Sequence, residues 1–278
     1  MGLKYEGCIR VGGRLVDLSS PVVMGILNVT PDSFYAASRE QTDAAIAHRA
    51  EQIVEQGGAV VDVGGCSTRP GYTAPEEAEE LSRLRRALAA VRRAAPGVAV
   101  SVDTFRPQVA RMCVEEFGAC IINDVSGGGQ SLPADGGAVE APAMFGMAAR
   151  LRVPYVLTSV QADLRSMLLA FARAVQQLHA LGVADVMLDP GFGFGKTLEQ
   201  NYAVLAGMEQ LQTLGLPVLV GLSRKSMITR VLGITADEAL NGTTALNMTA
   251  LMHGASVLRV HDVRQAVECV ELYKQLKS

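Results

Sequence analysis

No two cysteines of the chain stand in a C-x-x-C spacing, and the five present (Cys8, Cys66, Cys113, Cys120, Cys269) are odd in number. That argues against a zinc ribbon and against a disulfide frame, and suggests thiols kept in a reducing compartment. No uninterrupted apolar run reaches the length of about 18 residues needed to cross a membrane. The first residues lack a basic patch followed by an apolar core, so no signal peptide is expected. A formal net charge of −3 provides no global basic field for nucleic acid. Both common phosphate loops are missing too. In "MLDPGFGFGKT" (187–197) the residue five places before Gly195 is Pro190, so the Walker A spacing fails. The even spacing of Gly191, Gly193 and Gly195 breaks the dinucleotide pattern.

What the chain does have is apolar residues, 49% of 278, enough for a sizeable core. They fall in a regular alternation. Short β-branched runs predict strands at 22–28, 59–63, 98–102, 120–123, 153–157, 184–189, 216–221 and 256–260. Amphipathic runs predict helices at 41–56, 75–94, 106–117, 141–151, 164–181, 198–214, 236–253 and 262–276. Near-continuous apolar strands imply a parallel sheet buried on both faces. A doubly wound sheet needs fewer strands and a switch point. Eight βα units instead predict an α/β fold of the closed (β/α)8 barrel type, one domain over residues 1–278. Residues 1–20 are expected to form a hairpin on the barrel floor, turning at "VGGRL". The Gly- and Pro-rich stretch 127–143 is expected to be a mobile loop. The basic run 81–93 reads as a solvated helix face. His48, His179 and His253 read as structural, and Lys196 is left outside the core site.

Active sites of such barrels gather at the C-terminal strand ends. There the sequence places Asn28, then Thr68 and Arg69, Asp103, Asn123 and Asp124, Asp189, Ser223 to Lys225, and Arg259 with His261. Two chemistries separate. Arg69, Lys225, Arg259 and His261 are donors suited to phosphate or pyrophosphate. Asp103, Asn123 and Asp189 can hold a flat, nitrogen-rich heterocycle by paired hydrogen bonds. A heterocycle joined to a pyrophosphate suits both. Each residue alone also fits a helix cap or an ordinary rim position.

Seven ordered motifs then carry a resemblance over nearly the whole chain: "MGILNVTPDSF", "STRPG", "VDTF", "NDVSGG", "LDPGFGFGK", "GLSRKS" and "RVHD". The chain resembles the dihydropteroate synthases, whose fold is a (β/α)8 barrel. The resemblance implies a transferase of folate biosynthesis. It would join 6-hydroxymethyl-7,8-dihydropterin pyrophosphate to p-aminobenzoate, giving 7,8-dihydropteroate and pyrophosphate with Mg²⁺. It further implies that Asn28 helps hold the metal and pyrophosphate, and that Thr68 and Arg69 close over pyrophosphate and p-aminobenzoate. Asp103, Asn123 and Asp189 would bind the pterin, and Lys225 would reach the pterin and shape the p-aminobenzoate pocket. Phe194 would line that pocket. Arg259 would stack on the pterin and, with His261, bind the phosphates. A cytoplasmic homodimer is expected, packed through the helices within 239–255, with no nucleic-acid or membrane partner.

One segment departs from that family. Where its members carry a Met-His-Met-like run followed by Gly and Pro, this chain reads "VLTSVQADLRSML" (156–169). A residue near Val160 is expected in the place of the methionine beside the pterin, or else a loop that runs differently. The break admits a second reading, a non-catalytic or weakly active pterin-binding homologue. A third reading, a sugar-phosphate barrel with Lys225 as a Schiff base, leaves the seven motifs unexplained.

Overall fold

The computed structural model describes residues 7–29, 39–66, 74–118, 120–128 and 142–277. Two short antiparallel strands, β1 (Cys8–Val11) and β2 (Arg14–Asp17), come first and turn at Gly12–Gly13. Eight parallel strands follow: β3 (Val22–Asn28), β4 (Val60–Gly64), β5 (Ala99–Asp103), β6 (Ile121–Asp124), β7 (Tyr155–Thr158), β8 (Val186–Asp189), β9 (Leu219–Val220) and β10 (Val257–Val260). They pair in sequence order, β10 returns to β3, and a Leu188–Val218 bridge joins β8 to the β9 end. The sheet thereby closes on itself as a (β/α)8 barrel.

Strand alternation sorts the side chains. Met24, Val60, Ile121, Val156, Met187, Leu219 and Val257 point inward and form one apolar cluster with Ile9, Val11 and Leu18 of the hairpin region. The hairpin is thus a plug in the barrel floor, as expected. Arg10 N donates to Asp185 Oδ2 at 3.0 Å, and Arg14 Nη1 to Gly97 O at 2.5 Å, fastening it there. The outward residues of the same strands join the helices in a separate, larger cluster. Two positions above the floor, the period of two brings Asp62, Ser101, Asn123, Thr158, Asp189 and Arg259 inward instead.

Three expectations about the elements change, two for helices and one for a strand. The helix predicted over 198–214 is α6 (Leu198–Ala206) followed by a 3₁₀ stretch, Met208–Leu214. The break falls at Gly207, whose φ of −118° and ψ of 16° leave the helical range. The single helix predicted over 236–253 is preceded by an extra turn of helix, α7 (Ser226–Leu232), and itself begins at Leu240 as α8 (Leu240–Met252). The strand predicted over 216–221 shrinks to β9, because Pro217 has no N–H to give the ladder. The remaining helices are α1 (Arg39–Glu55), α2 (Glu77–Ala94), α3 (Pro107–Phe117), α4 (Ala143–Leu151), α5 (Leu164–Ala180) and α9 (Val263–Lys277). Pro107 opens α3, where its missing N–H costs least.

The basic run on α2 is consumed locally. Arg85 pairs with Glu116 at 2.7 Å, Arg86 with Asp43 at 2.8 Å, and Arg83 with Glu79. Glu80 differs from the other acidic residues of the first turn. It is fully buried, pairs with Arg106 at 2.5 Å and accepts from Thr104 Oγ1 at 2.7 Å, tying α2 to the β5 end. The five cysteines form no disulfide. No helix among the described residues is long and apolar enough to cross a membrane.

Candidate active site

The strand alternation that fills the floor with apolar side chains builds the site above it. Arg259, an inward residue of β10, lies across the barrel. Its Nε donates to Asp62 Oδ2 at 2.6 Å and its Nη2 to Asp103 Oδ2 at 2.8 Å. Burial disfavours its charge, but the two carboxylates outweigh that and hold its pKa above the ordinary guanidinium value. Asp62 is fully buried and also accepts from Asn123 Nδ2 at 3.3 Å. The sequence reading missed Asp62. Its signal was there, a lone carboxylate inside the apolar run "AVVDV".

Asp103 and Asn123 are opposite one another in the β5–β6 register, and both are buried. Burial raises the pKa of Asp103. Arg259 pulls it down, and Asp62, Glu80 and Asp124 push it up again. Asn123 Oδ1 has no hydrogen-bond partner. A buried acceptor of this kind, beside two carboxylates, is an edge for a polar heterocycle. Asp124 points the other way, to the helix side. It accepts from Tyr155 Oη, from Ser126 N at 2.8 Å and from Gly128 N at 2.8 Å, and so fixes the start of the loop after β6.

The loop that looked like a phosphate cradle is a wall of the same pocket. Asp189 ends β8, and its Oδ1 accepts from Gly191 N at 2.8 Å. Burial raises its pKa against the pull of Lys225 and that hydrogen bond. Lys225 donates to Phe192 O and lies 4.5 Å from the centroid of the Phe194 ring, a cation–π arrangement. Burial lowers the Lys225 pKa to about 8, with Asp189 acting in opposition. Lys196, set aside in the sequence, holds the loop in shape. Its Nζ donates to Ser159 O at 3.1 Å, Gly191 O at 3.0 Å and Phe194 O at 3.3 Å. Burial lowers its pKa to about 8 as well, again against Asp189.

The rim beside β10 carries the remaining polar groups. His261 Nδ1 lies 3.0 Å from Ser223 Oγ. Burial, then the positive charges of Arg259 and Arg224, push its pKa down to about 4. The imidazole is therefore neutral near pH 7, and acts as a hydrogen-bonding group rather than a cation. Arg49 of α1 donates to His261 O at 2.6 Å from behind, and Arg224 grips Asp262 with two bonds of 2.8 and 3.0 Å. Asn28 ends β3. Its Oδ1 lies 3.1 Å, and Asp103 Oδ2 3.8 Å, from where a Cβ on Gly64 would be, so both oxygens border the space left by that glycine. Among the described residues no group of three or more His, Cys, Asp or Glu side chains is placed to bind a metal. A single amide oxygen suits Mg²⁺, which keeps several waters and shares phosphate oxygens with its substrate.

The model of the family described as "Pterin binding enzyme" matches residues 24–261. Dihydropteroate synthase of Escherichia coli K12 is 38% identical over 281 residues, covering 96% of this chain and 95% of its own. The solved structure of Xanthomonas albilineans dihydropteroate synthase with 4-aminobenzoic acid superposes with a TM-score of 0.87 at 34% identity, over 98% of this chain and 99% of that one. Yersinia pestis dihydropteroate synthase with a pterine-sulfa conjugate gives 0.81 at 31%, over 97% and 98%.

The chain belongs to the dihydropteroate synthase family.

Of the residues singled out by that resemblance, Asn28, Asp103, Asn123, Asp189, Phe194, Lys225, Arg259 and His261 stand on one rim. Thr68 and Arg69 lie outside the described residues, as does most of 127–143. His48 and His179 are exposed on α1 and α5, and His253 lies 4.0 Å from Glu209, all away from the other site residues. At the segment that departs from the dihydropteroate synthase pattern, the inward residue stands two places before Val160. Val160 is 55% exposed, and the residue that β7 turns into the barrel is Thr158, 2% exposed. Val156 belongs to the floor cluster, so the period of two puts 158 inward.

Proposed function

We propose that this transferase condenses 6-hydroxymethyl-7,8-dihydropterin pyrophosphate with p-aminobenzoate, releasing pyrophosphate and forming 7,8-dihydropteroate. The observation that carries the reading is the network of Arg259, Asp62, Asp103 and Asn123, buried inside the barrel and facing Asp189 and Lys225. It offers acceptors to a pterin edge and cations to a pyrophosphate within one pocket.

In this reading Asp103, Asn123 and Asp189 orient the pterin, and Phe194 with Lys225 walls the p-aminobenzoate side. The bond between the methylene carbon and the pyrophosphate oxygen breaks, and its electron pair leaves with the oxygen. The amine nitrogen of p-aminobenzoate then forms the new bond to carbon and sheds its proton. Lys225, Arg259 and Arg69 stabilise the departing charge, with Thr68 as a further hydrogen-bond donor. His261, neutral, adds a hydrogen bond. Mg²⁺, when bound at Asn28, would neutralise the charge on the pyrophosphate oxygens. Location in the cytoplasm and homodimer formation through α8 belong to the same reading.

The test is pyrophosphate release with Mg²⁺ and the dihydropterin pyrophosphate, with and without p-aminobenzoate, and identification of the product by mass. Release that needs p-aminobenzoate and yields dihydropteroate is expected. Pterin binding without product would make the chain a non-catalytic homologue.

A further inference from the structure

Few side-chain polar atoms are buried without a partner among the described residues: Ser101 Oγ, Asn123 Oδ1, Thr158 Oγ1, Asn247 Oδ1 and His253 Nδ1. Three of the five fall on the consecutive strands β5, β6 and β7, at inward positions. An unpaired buried hydroxyl has given up its water without gaining a partner in return. A cluster of them on one wall of a pocket marks where a ligand brings the missing partners.

Ser101 lies two residues before Asp103 and is opposite the floor residue Ile121 in the β5–β6 register, below the mouth of the pocket. Thr158 is higher. It is opposite Asp189 in the β7–β8 register, and its neighbour Val156 is opposite Asn123. Its strand therefore runs between the two residues assigned to the heterocycle. The hydroxyl is 2% exposed, can both donate and accept, and is set on rigid strand rather than loop. The following backbone is held as well: Ser159 N donates to Asp189 O at 2.8 Å, and Ser159 O accepts from Lys196.

We infer that Thr158 is a specificity-determining residue whose hydroxyl hydrogen-bonds the polar edge of the heterocyclic substrate, between Asn123 and Asp189. The inference rests on the pterin-binding reading of the site. It makes the departure at 156–169 a change in how the pterin is held, not a loss of the site.

The test is calorimetric binding of 6-hydroxymethylpterin to the wild type, Thr158→Val and Thr158→Ser, with the Tm of each and the KM for p-aminobenzoate. Valine keeps the shape and removes the hydroxyl. Thr158→Val is expected to weaken pterin binding about fivefold, the equivalent of one neutral hydrogen bond. Its KM for p-aminobenzoate should stay unchanged, and Thr158→Ser should recover wild-type affinity. A merely structural hydroxyl predicts the opposite: Thr158→Val with unchanged affinity and a lowered Tm, which overturns the inference alone. A wild type that binds no pterin overturns the functional reading and this inference with it.

Discussion

Arg259 and Asp62 meet at 2.6 Å across the inside of the barrel, from β10 and from β4, 197 residues apart in sequence. Asp62 is fully buried, and the guanidinium it holds is 19% exposed. The pair fixes the angle at which a flat cation is presented above the barrel floor. Removing one partner of a buried ion pair strands the other charge. Asp62→Ala should therefore destabilise the protein by about 3–5 kcal/mol. Asp62→Asn, which keeps a hydrogen-bond acceptor, should cost less stability yet still lower kcat/KM about tenfold or more, by loosening Arg259. Urea denaturation and steady-state kinetics on the two variants check this. Full activity in Asp62→Asn would mean that Arg259 needs no such anchor.

Lys225 and Lys196, each with a pKa lowered to about 8 chiefly by burial, predict a basic limb. Lys225 is the cation of the pocket, so kcat/KM for the pterin pyrophosphate should fall as pH rises through about 8. In kcat, measured at saturation, the limb should move upward, because bound pyrophosphate favours the charged amine. Lys225→Arg should shift the kcat/KM limb out of the accessible range, and Lys196→Arg should leave it in place. A limb that follows Lys196 would reassign the cation.

His261 has a folded pKa of about 4 against 6.5 for the free group. Between those values the unfolded chain binds more protons than the folded one. The contribution is present in full above about 6.5 and is lost as pH falls through 4. His261→Gln should remove it. Stability measured by denaturant titration from pH 7 to 4 should fall by about 2 kcal/mol less in the variant than in the wild type. Parallel curves for the two proteins would count against a buried neutral imidazole.

Gly191 has φ +66°, and a Cβ there would collide with Ser159 O and press on Thr158 Cγ2. The loop after β8 can approach β7 this closely only without a side chain. Gly191→Ala should cost about 1–3 kcal/mol from backbone strain and displacement of the β7 end. Thermal unfolding reads the first effect, and weakened pterin binding the second. A Tm within 1 °C or so of wild type would show that the loop has room to shift.

The chain's periodicities were enough to specify a closed barrel with a floor hairpin, because a buried parallel strand and an amphipathic helix each leave a local, repeating signature. The same period of two decides which residues look inward, so Asp103, Asn123, Asp189 and Arg259 were legible as a rim once the strands were counted. What local patterning does not carry is partnership between distant strands. Asp62 lies inside β4, two residues before its C-terminal end, and only barrel closure brings Arg259 to it. Lys196 looked like part of a failed phosphate loop until the fold folded that loop back onto Ser159. The neutral state of His261 depends on burial and on Arg259, Arg224 and Arg49, and of these only Arg259 stands beside it in the sequence. Thr158 faces the pocket because β7 runs as far as that residue, and Val160 is exposed because the strand has ended before it. The alternation of side chains is set by the sequence. Where the alternation stops, and which charges then meet, is set by closing the sheet.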